Sequence, residues 1–134
     1  MSKTKIVIPS YEEACALTNR KPEDMPIVAH LPEKDQKHFI ADHKLAVIIE
    51  GTNKLIDPTW KADFGNWDQP KWYPWPIQEK DDTQPSGFGL SLRGVGITRT
   101  NADVGARFAY CSQEAGRAGF EACRQLYIDK DLNY

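Results

Sequence analysis

"SGFGLSLRGVGITRT", residues 86–100, decides the fold class. Phe88, Leu90 and Leu92 alternate with Gly89, Ser91 and Arg93. That two-residue period is the mark of a strand with one buried face. Just before it, "EKDDTQPSG" (79–87) reads as a solvated turn or loop. Further upstream, "NWDQPKWYPWP" (66–76) holds three of the four tryptophans, one tyrosine and three of the nine prolines. It has no helical period, and Lys71–Trp75 is expected as a short extended piece stiffened by Pro74 and Pro76. Downstream, "GARFAYC" (105–111) is expected as another strand, with "GVGITRTNAD" (94–103) containing the connection.

Helices flank this β-rich middle. Ser10 and Glu13 have the spacing of a capping box, so a short helix is predicted from Tyr11 to about Thr18. "NRKPEDMPIVAHLP" (19–32) is a loop, because its three prolines remove amide donors. Pro32 and Glu33 suit the start of a second helix running to about Asn53. Its second half, "KLAVIIE" (44–50), is apolar nearly all round, so several faces must be covered, by this chain or by another copy of it. Ser112 is a good N-cap for a last helix over Gln113–Ile128, with Ala115, Ala118, Gly119, Ala122 and Leu126 on one narrow stripe. The sum is an α+β fold in which a small antiparallel sheet packs against N-terminal helices and one C-terminal helix.

The 134 residues suit one domain, 1–134, and the 40% hydrophobic content suits a packed core. A net charge of −2 speaks against a general nucleic-acid or membrane surface. The longest apolar run, "LAVII" (45–49), is too short to span a bilayer. Cys15, Cys111 and Cys123 form no C-x-x-C pair and read as buried reduced thiols, and the first residues carry no apolar leader. A cytoplasmic location is expected.

The chain offers no reactive set. His38 and His43 lie five apart, about 140° round a helix, so they cannot share a metal. Cys111 has no histidine near it in sequence. The glycines of "GFG" and "GVG" fit neither a P-loop nor a dinucleotide loop. No acid pair or acid–histidine set has spacing specific to a reaction, so neither catalysis nor a cofactor is expected. What remains is a binding surface. Arg93, Arg99, Thr100 and Arg107 cluster between the strands, and Trp72, Tyr73 and Trp75 supply aromatic plates. Guanidinium forks hold phosphate or carboxylate, and each base–aromatic stack contributes about 1–3 kcal/mol. These seven residues are expected to hold a small anionic, nucleotide-like ligand. The competing reading is a solvated hairpin whose tryptophans only fill the core.

"ACALTNRKPEDMPIVAHLPEKDQKHFIADHKLAVIIEGTNK", "KWYPWP", "SGFGLS" and "VGARFAYCSQEAGRAGFEACRQLY" together resemble a family of small proteins from Bacteroides-type bacteria and their phages. Its members carry, in the same order, a "YYPWF" segment, a "GFGFS" strand and a "VGSRLCFKSRELAEYAG" end. The resemblance implies a phage or prophage origin and action in the host cytoplasm, but no activity and no catalytic residues. The chain departs from the pattern around "LRGVGITRTNAD" and just before Trp60. The expected function is binding without turnover, with sequestration of a nucleotide immune signal as the role. The alternative is a virion-accessory or interaction scaffold, and a homo-oligomer is expected.

Overall fold

Ser10 opens the first helix as its spacing predicts. Its Oγ accepts the Glu13 N–H at 3.2 Å, and the Glu13 carboxylate accepts the Ser10 N–H at 3.2 Å. In the computed structural model, which describes residues 6–99 and 105–132, this helix is α1, Tyr11–Leu17. Helix α2, Glu33–Ile56, follows. Strands β1 (Lys71–Lys80) and β2 (Phe88–Thr98) form an antiparallel hairpin, and a 3-10 turn covers Ala106–Phe108. Helices α3 (Gln113–Ala122) and α4 (Arg124–Asp131) close the chain. The fold is α+β.

The hairpin is longer than the expected Lys71–Trp75 piece, running through Lys80 into a turn where Asp81 N–H donates to the Gly87 carbonyl at 2.9 Å. Trp75 pairs with Gly94 but Pro76 pairs with Leu92, so Arg93 is an extra residue, a β-bulge. The bulge reverses the parity of β2. Leu90 and Leu92 turn to the core before it, and Val95, which lies against Gly116 of α3, turns to the core after it. Strand β1 has no extra residue. Trp72 and Pro74 therefore share the core side, while Tyr73 and Trp75 share the outer one.

Two expectations are corrected. "GARFAYC" is not a ladder strand. It forms the 3-10 turn and then a single bridge, in which the Tyr110 N–H donates to the Trp72 carbonyl at 2.7 Å and the Tyr110 carbonyl accepts the Trp72 N–H at 3.0 Å. On its other edge Asn53 of α2 fills the place of a strand: Nδ2 donates to the Ala109 carbonyl and Oδ1 accepts the Cys111 N–H, each at 2.9 Å. The Trp72–Tyr110 bridge also shows which edge of β1 faces away from β2. Alternation puts Pro74 and Pro76 on that edge, where their missing N–H groups cost no ladder bond. The last helix is likewise two helices, kinked at Cys123, with hydrogen bonding continuing through Cys123 N–H to Gly119 and Tyr127 N–H to Cys123.

One core cluster joins Tyr11, Leu45, Ile49, Leu90, Tyr110, Phe120 and Tyr127, among others. Leu45–Ile49 is buried by this chain's own α1, α3, α4 and 3-10 turn, so no second copy is needed to cover it. Among the described residues, no helix is long and apolar enough to cross a membrane.

Candidate functional site: a cationic groove beside Trp60

His43, Ala46, Val47, Glu50, Asn53 and Lys54 recur at three- and four-residue steps along α2 and so share one face. That face is the wall of a groove of about 600 Å³. The 58–62 segment with Trp60, and Ala106 and Arg107 of the 3-10 turn, also line it.

Local turns deliver the remaining side chains. After α1 the backbone reverses through Asn19, at φ 59°, and Arg20 N–H donates back to the Cys15 carbonyl at 2.8 Å. This reversal sends the Arg20 guanidinium to the Glu50 carboxylate at 2.7 Å. After α2, Asp57 Oδ1 accepts from the Thr59 N–H and hydroxyl, and Trp60 N–H donates to the Asp57 carbonyl at 3.0 Å. That turn folds Trp60 back over the groove. Gln69 pins the next stretch, donating to the Lys61 carbonyl at 2.7 Å and accepting the Asp63 N–H at 2.6 Å. Beneath it the buried Lys71 ammonium donates to the carbonyls of Asn66, Gln69 and Arg99. Lys71 thus fastens the loop to the end of β2.

Arg20, Lys54, Lys61 and Arg107 line the groove against one carboxylate, Glu50, which Arg20 already engages. In a chain whose net charge is −2, this is a local concentration of positive charge. His43 senses it: burial first, then the Arg20 and Arg107 guanidiniums, hold its ring below the usual histidine range. Trp60 also lines a second hollow, with Asp57, Asp63, Phe64 and Asn66.

The residues expected from sequence to form one site are dispersed. Trp72 is half-buried against the core, whereas Trp75, 60% exposed, lies on the outer sheet face. Tyr73 also lies outward, its ring covering Gly96. Arg93 occupies the bulge and is exposed, and Arg99 donates to the Trp67 carbonyl at 3.2 Å beyond the end of β2. Thr100 lies outside the described residues, as do Asn101 and Asp103. Among the described residues the cation–π contacts join Lys44 to Tyr11, Lys71 to Phe64, Arg124 to Phe120 and Lys130 to Phe108, and none involves a tryptophan. Of the six that are described, only Arg107 lines the groove, which Trp60 lines too. The periodic face of α2 could have been read from the sequence. Arg20 carried no such signal, since only the α1 reversal brings it in.

Among the described residues, no three histidine, cysteine, aspartate or glutamate side chains gather to hold a metal. Burial raises the Cys111 thiol and pushes Cys123 up to about 11, the reverse of an activated nucleophile. Fold and groove together define a small α+β protein with an indole-walled cationic cleft. Compared with protein-family models, curated proteins and solved structures, the chain matches none.

Proposed function

We propose that the groove binds, without turnover, a small anionic ligand with an aromatic ring, of the nucleotide class. The observation that supports this reading is the gathering of Trp60 with Arg107, Arg20, Lys54 and Lys61 around one hollow of about 600 Å³. That volume lies in the ordinary range of small-molecule sites. A base stacked on the indole gains about 1–3 kcal/mol. The guanidiniums and ammoniums meet its phosphates, and desolvation inside the groove strengthens those contacts. In a phage- or prophage-type protein acting in the host cytoplasm, such a groove sequesters a nucleotide signal of bacterial immunity. The reading is tested by calorimetry against mono-, di- and cyclic nucleotides, with Trp60→Ala and Arg107→Glu as variants. Binding that weakens at least about tenfold in each variant and falls with salt is the expected result. No heat with any of these compounds would sink it.

A second reading, an interaction scaffold that assembles with itself or with a virion, is favoured by the exposure of Trp67 (71%), Trp75 (60%) and Ile77 (44%). Solution mass measurement separates the two: a monomer that binds nucleotide supports the groove, and a stable oligomer that ignores nucleotide supports the scaffold.

A further inference from the structure

The groove holds one titratable group that can change charge near neutral pH, and its hydrogen bonding is one-sided. His43 Nε2 lies 3.2 Å from the Tyr11 hydroxyl. That hydroxyl has a single proton and also lies 3.2 Å from the Pro22 carbonyl, which can only accept. The single phenol proton serves one of these acceptors, and the tautomer of the His43 ring decides whether Nε2 donates or accepts in this contact. The Tyr11 ring stands edge-on at 6.0 Å and, with Met25 Sδ also at the hydroxyl, fixes the imidazole on its α1 side.

The charges that act on His43 come from three places in the fold. Arg20 arrives from the α1 reversal and Arg107 from the 3-10 turn, both acting against a charged imidazole. Asp42 on α2 acts in its favour, but more weakly than the guanidiniums. Glu50, also on α2, is engaged by Arg20, and Lys44 lies over the Tyr11 ring. Lys54 and Lys61 line the same hollow. Burial is the largest influence that keeps the ring neutral, and an anion seated among these cations offsets the second, the field of the guanidiniums.

Resting on the binding reading above, we infer that the groove takes up its anion together with a proton, and that His43 is the residue that receives it. The site is thus a proton-coupled anion site, tighter in mildly acidic than in mildly alkaline solution. Before binding, His43 is a neutral ring in the field of two guanidiniums; afterwards it is an imidazolium beside the ligand's negative charge. The proton comes from solvent, and no bond to the ligand forms or breaks. Uptake of one proton by linkage makes affinity rise by up to about tenfold per pH unit across the window in which His43 changes charge.

The probe is 3′,5′-cyclic AMP, whose phosphodiester and base do not titrate between about pH 5.5 and 8, so every proton counted belongs to the protein. Calorimetry in buffers of different ionisation enthalpy measures the protons taken up. A parallel NMR titration follows the His43 ring with and without the probe. The expected result is fractional to full proton uptake on binding, a His43 titration displaced upward by the probe, and ring signals of His30 and His38, which do not line the groove, left unmoved. In His43→Gln both the uptake and the pH slope disappear, and affinity falls toward the wild-type value in mildly alkaline solution, where the wild-type ring is neutral. Binding without uptake, or uptake that persists in His43→Gln, overturns the inference and leaves the binding reading standing. If cyclic AMP does not bind while another nucleotide of the panel does, the same measurements on that nucleotide decide, after subtraction of its own phosphate ionisation. No binding by any nucleotide overturns the reading and the inference together.

Discussion

Asn53 stands beside Cys111 as a one-residue strand: its Oδ1 accepts the Cys111 N–H at 2.9 Å while its Nδ2 donates to the Ala109 carbonyl two residues earlier. The amide and Ala109 are buried and the bond to Cys111 is part-buried, so water is a poor substitute at the Ala109 carbonyl above all. Replacing Asn53 by leucine leaves both orphaned. The cost is about 2–5 kcal/mol, the sum of one buried and one part-buried unsatisfied group. Asn53→Asp keeps the acceptor and loses the donor, and falls between leucine and wild type. Urea unfolding monitored by circular dichroism measures the series, and a leucine variant within about 0.5 kcal/mol of wild type would refute the clasp.

Two glycines separate close approach from open space. A Cβ at Gly119 would sit inside van der Waals contact of the fully buried Tyr110 ring and hydroxyl, whereas a Cβ at Gly94 would meet nothing within 4 Å. Gly119→Ala is expected to cost about 1–3 kcal/mol by overpacking. Gly94→Ala is expected to be neutral, or stabilising by up to about 1 kcal/mol, because alanine loses less backbone entropy in a strand. Thermal melts of the two variants, run side by side, would contradict the placement of α3 against Tyr110 if the order were reversed.

Trp72 and Trp75 are three residues apart on a regular strand and therefore face opposite ways. Trp72→Ala removes a half-buried ring from the core and is expected to destabilise by about 2–4 kcal/mol, somewhat below the cost for a fully buried ring. Trp75→Ala, at a position 60% exposed, is expected to cost under about 1 kcal/mol and to leave nucleotide binding at Trp60 unchanged. Equal losses of stability in the two variants would contradict the parity of β1.

Alkaline pH should unfold the chain through its phenols. Burial raises Tyr110 and Tyr127, whose hydroxyls lie 3.0 Å apart, and burial with the neighbouring Cys15 thiol raises Tyr11 to about 12. Each keeps its proton in the folded chain past the pH at which the unfolded chain would lose it. The stability they contribute is complete below about pH 10 and is lost as pH rises from there through the raised folded-state values. Phenolate absorbance and circular dichroism, titrated together, should show these tyrosines ionising with the loss of helix. Their ionisation near pH 10 in a chain of native ellipticity would disprove their burial.

Much of the architecture was legible because its causes are short-range. Ser10 and Glu13 are three apart and make their reciprocal bonds within one turn, so the start of α1 follows from spacing alone. The alternation at Phe88–Leu92 sets the strand, and Pro74 and Pro76 belong on the edge where they stand. The apolar run 45–49 had to be covered, but its cover, α1 on one side and α4 on the other, was not visible in the run itself. The parity switch at Arg93 was also hidden, because a bulge leaves no mark in a pattern of small residues such as "RGVG".

"GARFAYC" shows where local reading stops. It has strand composition, but its backbone partners are Trp72 on one edge and the Asn53 side chain on the other, residues 38 and 57 positions before Tyr110 in the numbering. The candidate site lies at the same boundary. Arginine and tryptophan content pointed to the binding surface proposed above, and the sequence by itself determined the caps, the strand at Phe88–Leu92 and the α+β class, because periodicity and capping act over a few residues. Which indole meets which guanidinium was decided only by the tertiary structure. Arg20, Trp60 and Arg107 come together because the α1 reversal, the turn after α2 and the Asn53-anchored 109–111 segment converge on one face of α2, and that convergence is a matter of packing, which no spacing along the chain encodes.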